Sequence, residues 1–201
     1  SSLDKDRIRT FMTEIARAFF LSPSIEDDGV QLGALTFNEG TQHVVYLSDV
    51  DNPDKVIKRM ESMNLTEVGC RTHTFAALER MENEYFTPEK GDRPDAINKV
   101  IVLSDGVTKP SSKESNTFNN ADSLRATGAE IVVVGLPQGC PPDKPKCVEK
   151  VIGQDEWMAI SGADEDPNLL LNILNTDFTK LRETIINIGN KVCGPGSVKI
   201  N

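Results

Sequence analysis

Long apolar runs are missing from this chain: none approaches the ~20 residues that a helix needs to cross a bilayer, so membrane insertion is not expected. No basic start followed by an apolar middle marks a signal peptide. Ser1 opens without an initiator Met, so the chain reads as a processed or trimmed piece and that second absence carries no weight. Histidine is nearly absent, with 2 in 201 residues. Neither is spaced with an acid and a nucleophile as a triad requires, and no GxSxG elbow occurs, which makes a hydrolase hard to build. Phosphate loops are absent too: no GxGxxG follows a strand and no GxxxxGK[ST] occurs. The cysteines, Cys70, Cys140, Cys147 and Cys193, form neither CxxC nor the Cys/His spacing of a zinc site. Basic residues are outnumbered, 22 Lys and Arg against 31 Asp and Glu. The resulting net charge of -9 disfavours nucleic acid and anionic membrane surfaces. A neutral, basic or metal-bridged partner fits better.

What is present is the composition of an ordinary globular protein, 38% hydrophobic and 26% charged, long enough for one substantial core. Cys140 and Cys147 bracket PPDKPK, and a disulfide across that polar loop would remove roughly 2 kcal/mol of unfolded-state entropy. Such a bridge implies an oxidising compartment. Asn64-Leu65-Thr66 is a glycosylation sequon, in weak agreement with secretion.

Along the chain, Asp4 to Phe20 carries Ile8, Phe11, Met12, Ile15 and Phe19 at helical spacing. Val30 to Phe37 and Thr41 to Leu47 read as a hairpin across Asn38-Glu39-Gly40, with His43 as a solvent-facing strand residue. Helices are expected from Pro53 to Ser62 and from Phe75 to Tyr85. Asn116 to Ala126 reads as another, ended by Thr127-Gly128. Glu130 to Gly135 reads as a buried strand. A short helix near Gln154 to Ile160 with Trp157, a strand Asn168 to Ile173 and a last helix Asp177 to Val192 complete the pattern. The expected architecture is α/β and doubly wound: a mainly parallel sheet with helices on both faces and one antiparallel edge strand. Residues 1–193 form the single domain and 194–201 a linker or tail. Because a doubly wound domain normally begins with its central strand, a strand is expected upstream of Ser1.

The chain is organised around Lys99 to Gly106, KVIVLSDG, where Val100, Ile101, Val102 and Leu103 fit a strand buried on both faces. Asp105 stands at its carboxyl end, the edge where open α/β sheets bind ligands. From this stretch alone Asp105 reads equally as a turn or cap residue. Two hydroxyls occupy comparable places, Ser2 before the first helix and Thr72 before the third. Hydroxyls with a single carboxylate suit Mg²⁺ or Mn²⁺ in an octahedral site completed by waters. Read blandly, Ser2 and Thr72 only cap helices.

In GCRTHTFAAL, VIVLSDG and the opening Ser1-Ser2-Leu3, the sequence resembles the von Willebrand factor A family, which includes the integrin I domains. The resemblance runs in element order from residue 1 to about 193. It implies a metal-ion-dependent adhesion site with Thr72 in the Thr loop, Asp105 acting through water, and Ser2 as the second serine of a DxSxS motif whose Asp and first Ser precede Ser1. It implies an extracellular, non-enzymatic adhesion module in which a Glu or Asp of a partner protein completes the metal, collagen being one candidate ligand. It also implies that Cys193 lies far from Cys70 and pairs with an upstream cysteine, leaving Cys70 as the odd thiol. Two other readings stay open: an A domain with an idle metal site that acts through ordinary surfaces, and a Rossmann-like enzyme.

Overall fold

A computed structural model of the chain describes residues 2–19, 21–24, 29–65, 71–136, 152–166 and 173–175, with residues 185 and 188; for 2–4 and 173–175 only the backbone is described. Helix α1 spans Ser2–Ala18. The hairpin follows, β1 at Ala34–Phe37 paired antiparallel with β2 at Thr41–Val45. Its turn is closed by Asn38, whose side-chain oxygen accepts the Gly40 N–H at 3.1 Å. Both strands are shorter than the apolar pattern suggests; a bulge between Ala34 and Leu35 breaks the register at the open end. Helix α2, Pro53–Glu61, starts where the pattern places it, with Asn52 accepting the Lys55 N–H and Pro53 in the first turn.

Helix α3, Thr74–Arg80, continues as a single π turn over Met81–Tyr85 and not as regular α-helix. That turn delivers the Tyr85 ring into the interior, 1% exposed, where its hydroxyl donates to the Ala34 carbonyl at 2.9 Å. His43 is exposed, as expected, yet its Nδ1 lies 2.8 Å from the same hydroxyl and its ring stacks on Tyr46. Since the tyrosine proton is committed to Ala34, Nδ1 is the protonated nitrogen of His43.

The parallel sheet has the order β3-β4-β5, with β3 at Lys99–Ser104, β4 at Glu130–Gly135 and β5 at Ile173–Asn175. Helices α4, Glu114–Ala126, and α5, Gln154–Ser161, connect its later strands. Strand β5 pairs through Ile173 to Asn175, so the expected strand Asn168 to Ile173 is corrected at its carboxyl end; its residues 168–172 lie outside the described residues. The same is true of the expected last helix except at Ile185 and Ile188.

Two cores flank the sheet. Ile101 and Leu103 of β3 pack against one, which joins α1, α2 and the hairpin through Phe11, Ile15, Val45, Val56 and Met60, with Ile185 and Ile188. Val100 and Val102 face the other, built on Leu78, Ala121, Leu124 and Trp157 from α3, α4 and α5. The fold is therefore α/β with helices on both faces, as the chain pattern predicts. Among the described residues the hairpin forms a separate two-stranded sheet, and β3 has a ladder partner on one edge alone, β4.

Candidate metal centre

At the carboxyl end of β3 the chain leaves the sheet through Ser104-Asp105-Gly106-Val107-Thr108-Lys109, a strap anchored at nearly every step. The Ser104 hydroxyl donates to the Gly106 carbonyl at 3.0 Å and accepts the Gly106 N–H at 3.3 Å, a local turn that sets Asp105 at its apex. Asp105 is exposed. Helix α5 then reaches the strap from below. The Trp157 indole, fully buried, donates to the Gly106 carbonyl at 3.2 Å. This approach needs glycine: a Cβ on Gly153, at φ +102°, would stand 2.7 Å from that carbonyl oxygen, and one on Gly135 would stand 2.2 Å from the Trp157 ring.

Glu156, 3% exposed, accepts the Thr108 N–H with both carboxylate oxygens at 3.0 and 2.9 Å, and Oε1 also accepts the Thr108 hydroxyl at 2.9 Å. Thr108 having given its proton to Glu156, the Thr117 hydroxyl of α4 donates to Thr108 Oγ1 at 2.7 Å. Burial pushes the Glu156 carboxyl up from its ordinary range, while the Thr108 bonds pull it back.

Thr72 enters from the loop before α3. Its N–H donates to the Lys109 carbonyl at 3.2 Å and its carbonyl accepts the Lys109 N–H at 2.9 Å. This antiparallel pair ties the Thr72 loop to the strap that bears Asp105. The next residue, His73, donates its N–H to the Asn38 carbonyl of the hairpin turn at 2.7 Å. Of the residues expected to share a site, Thr72 and Asp105 are thus on joined loops. Ser2 opens α1, its side chain outside the description. Cys70, Cys140, Cys147 and Cys193 lie outside the described residues. Asn64 is exposed, while Thr66 of its sequon is not described.

The donors fit a hard divalent cation. Hydroxyl and carboxylate oxygens are its preferred ligands, and among the described residues no three His, Cys, Asp or Glu side chains converge into a softer or more highly charged site. A further hydroxyl, that of Thr74 at the start of α3, is 1% exposed and without a hydrogen-bond partner among the described residues. Two residues beyond Thr72, it is a buried oxygen with hydrogen-bonding capacity to spare. The surroundings carry positive charge in an acidic chain. Lys109 and Arg71 are exposed, Arg71 standing 3.8 Å from Glu39, and the Lys113 ammonium sits 5.9 Å from the Phe75 ring, itself beside His73.

Sequence reasoning did not find Glu156, Thr74 or the Thr72 and Lys109 pair. The last is a backbone contact across 37 residues, for which side chains carry no signal.

The chain is 28% identical over 145 residues to the collagen alpha-6(VI) chain of Mus musculus, which covers 72% of this chain and 6% of the relative. It is 21% identical over 187 residues to human integrin alpha-10, covering 93% of this chain and 15% of the integrin. It therefore spans only a small part of these curated relatives. Among solved structures, proximal thread matrix protein 1 of the mussel byssus, with a zinc-occupied MIDAS motif, superposes with a TM-score of 0.73 at 19% identity over 92% of this chain and 42% of the other. Manganese-loaded TRAP protein of Plasmodium vivax superposes at 0.65 and 17% identity, over 92% of this chain and 65% of the other. The model of the von Willebrand factor type A domain matches residues 2–185, and the chain belongs to that family.

Proposed function

We propose that this domain is an extracellular adhesion module, without catalytic activity, which captures a protein partner through a divalent cation. Ser2, Thr72 and Asp105 would hold Mg²⁺ or Mn²⁺ together with an Asp and a Ser from a strand preceding Ser1. The cation would supply the Lewis acidity that draws a carboxylate of the partner to it. The observation that carries this reading is the Thr72 and Lys109 backbone pair, because it brings the hydroxyl-bearing loop and the acid-bearing strap side by side at the carboxyl end of β3. The proposed set holds two carboxylates, Asp105 and the upstream Asp; with Asp105 acting through water, only one of them would touch the dication, so an incoming carboxylate would still meet a strong field. Lys109 and Lys113, both exposed, add to the attraction for an acidic segment. Collagen is the ligand we would test first, given relatives named as a collagen chain and an integrin. The edge of β3 without a ladder partner among the described residues is where an upstream strand would join the sheet. A Cys140 to Cys147 bridge and a glycan on Asn64 belong to the same extracellular reading.

The test is calorimetric titration of Mn²⁺ into the native protein and its Asp105→Ala and Thr72→Ala variants, paired with adhesion to immobilised collagen with and without EDTA. Asp105→Ala should remove most of the affinity with the fold retained, since an exposed loop acid carries little packing. Thr72→Ala should do the same more mildly. Equal metal affinity in all three proteins removes the site. Lost metal binding with unchanged adhesion keeps the site and points to a surface that works without it.

A further inference from the structure

The helix that underlies the strap presents a carboxylate that the proposed ligand set does not use. Glu156 is almost fully enclosed, and burying an acid is costly unless its bonds are supplied. Among the described residues they are supplied by Thr108, through one N–H shared between both oxygens and through the hydroxyl, which Thr117 supports from behind. Thr108 is the residue next to Lys109, whose N–H and carbonyl hold Thr72, and it lies three residues past Asp105. Trp157, the neighbour of Glu156, fixes the Gly106 carbonyl on the other side. Both loops that carry the proposed ligands are therefore referred to one rigid point in the second core.

Resting on the metal reading above, we propose that Glu156 is a positioning residue for the cation site: it clamps Thr108 so that Asp105 and Thr72 are held at ligand distance before the cation arrives. The physical basis is preorganisation. A loop already ordered by buried, charge-assisted hydrogen bonds loses little conformational freedom when it binds. Without the clamp that ordering must come out of the binding free energy. The alternative is that Glu156 only joins α5 to the strap as part of the fold, in which case its removal lowers stability and leaves metal affinity alone.

The experiment compares wild type with Glu156→Gln, Thr117→Val and Asp105→Ala in the native chain, including whatever precedes Ser1. It measures Mn²⁺ affinity by calorimetry and amide hydrogen exchange across residues 105–109 in EDTA. Gln keeps the volume but places an amide N–H₂ against the Thr108 N–H, so one of the two acceptor oxygens is lost. The expected result is about tenfold weaker Mn²⁺ binding in Glu156→Gln with faster exchange of residues 105–109, and a two- to threefold loss in Thr117→Val. Should Glu156→Gln fail to fold, Thr117→Val carries the test, since it removes only the support behind Thr108. Unchanged affinity in Glu156→Gln and Thr117→Val beside a large loss in Asp105→Ala overturns the clamp and keeps the metal site. Unchanged affinity in Asp105→Ala as well, or no Mn²⁺ binding by the wild type, overturns both.

Discussion

Thr74→Val is the most informative single change, because its effect should reverse with the metal. The Thr74 side chain is 1% exposed and its hydroxyl has no partner among the described residues. An unsatisfied buried hydroxyl costs about 1–3 kcal/mol, and a methyl group of the same shape removes that cost. Taking the lower end, Thr74→Val in EDTA should be about 1 kcal/mol more stable than wild type, a rise of roughly 2–4 °C in Tm for a chain of this size. If the hydroxyl serves a metal-bound water, the order changes once the cation is present. At a Mn²⁺ concentration 100 times the wild-type Kd, binding stabilises wild type by about 2.7 kcal/mol; a variant binding tenfold more weakly gains only about 1.4 kcal/mol. The variant's advantage of about 1 kcal/mol should then vanish or turn slightly negative. Thermal melts of both proteins in EDTA and in Mn²⁺ give all four values. A destabilised variant in EDTA would show that the hydroxyl has a partner in the metal-free protein. An equal advantage in both buffers would show that the hydroxyl has no part in metal binding.

Two further expectations concern the scaffold. Arg125 of α4 donates to the carbonyls of Ala159 and Ile160 at 2.7 and 2.8 Å, closing the last turn of α5; Arg125→Met should cost roughly 1.5–3 kcal/mol in urea unfolding, and a loss below 0.5 kcal/mol, estimated on that same scale, would mean that solvent replaces both bonds. Glu84 is held down to about 2 by its bonds from Arg80 and then Tyr46. A depressed carboxylate contributes stability that is present above its ordinary value of 4.5 and is lost as pH falls toward 2. Acid unfolding of Glu84→Gln should therefore show a shallower decline than wild type between those limits, and identical profiles would remove the network's contribution.

The strands that matter were legible because burial on both faces leaves no polar alternation to confuse them. Val100 to Leu103 and Ile131 to Val134 are apolar at every position, and both runs became β3 and β4. The strand expected at Asn168 to Ile173 shows the limit of that signal. An apolar run states that a segment is buried but not which of its residues find ladder partners, and here Ile173 to Asn175 pair with Val133 to Gly135. The loops of the proposed site were read from residue types in order, and the structure places the Thr72 and Asp105 loops side by side. What joins them was not legible there, since a backbone pair such as Thr72 with Lys109 is set by the three-dimensional path of two loops.

Glu156 is a different kind of miss, because a signal for it existed. Trp157 and Ile160 fix which side of α5 faces the core, both being at most 1% exposed. Glu156 stands four residues before Ile160, which in a helix places it on that same face. Its neighbours Gln154 and Asp155 are exposed, so the acid is the misfit in an otherwise ordinary amphipathic turn. An acid on an apolar stripe is too costly to sit there without bonds, and the nearest donors must come from whatever the helix packs beneath. The helix packs beneath the strap that follows β3, where Gly135 and Gly153 permit so close an approach. Asking which acid in each helix violates its own periodicity would have singled out Glu156 in QDEWMAIS without coordinates. It would not have named Thr108 as the partner, because that depends on the turn Ser104 makes with Gly106.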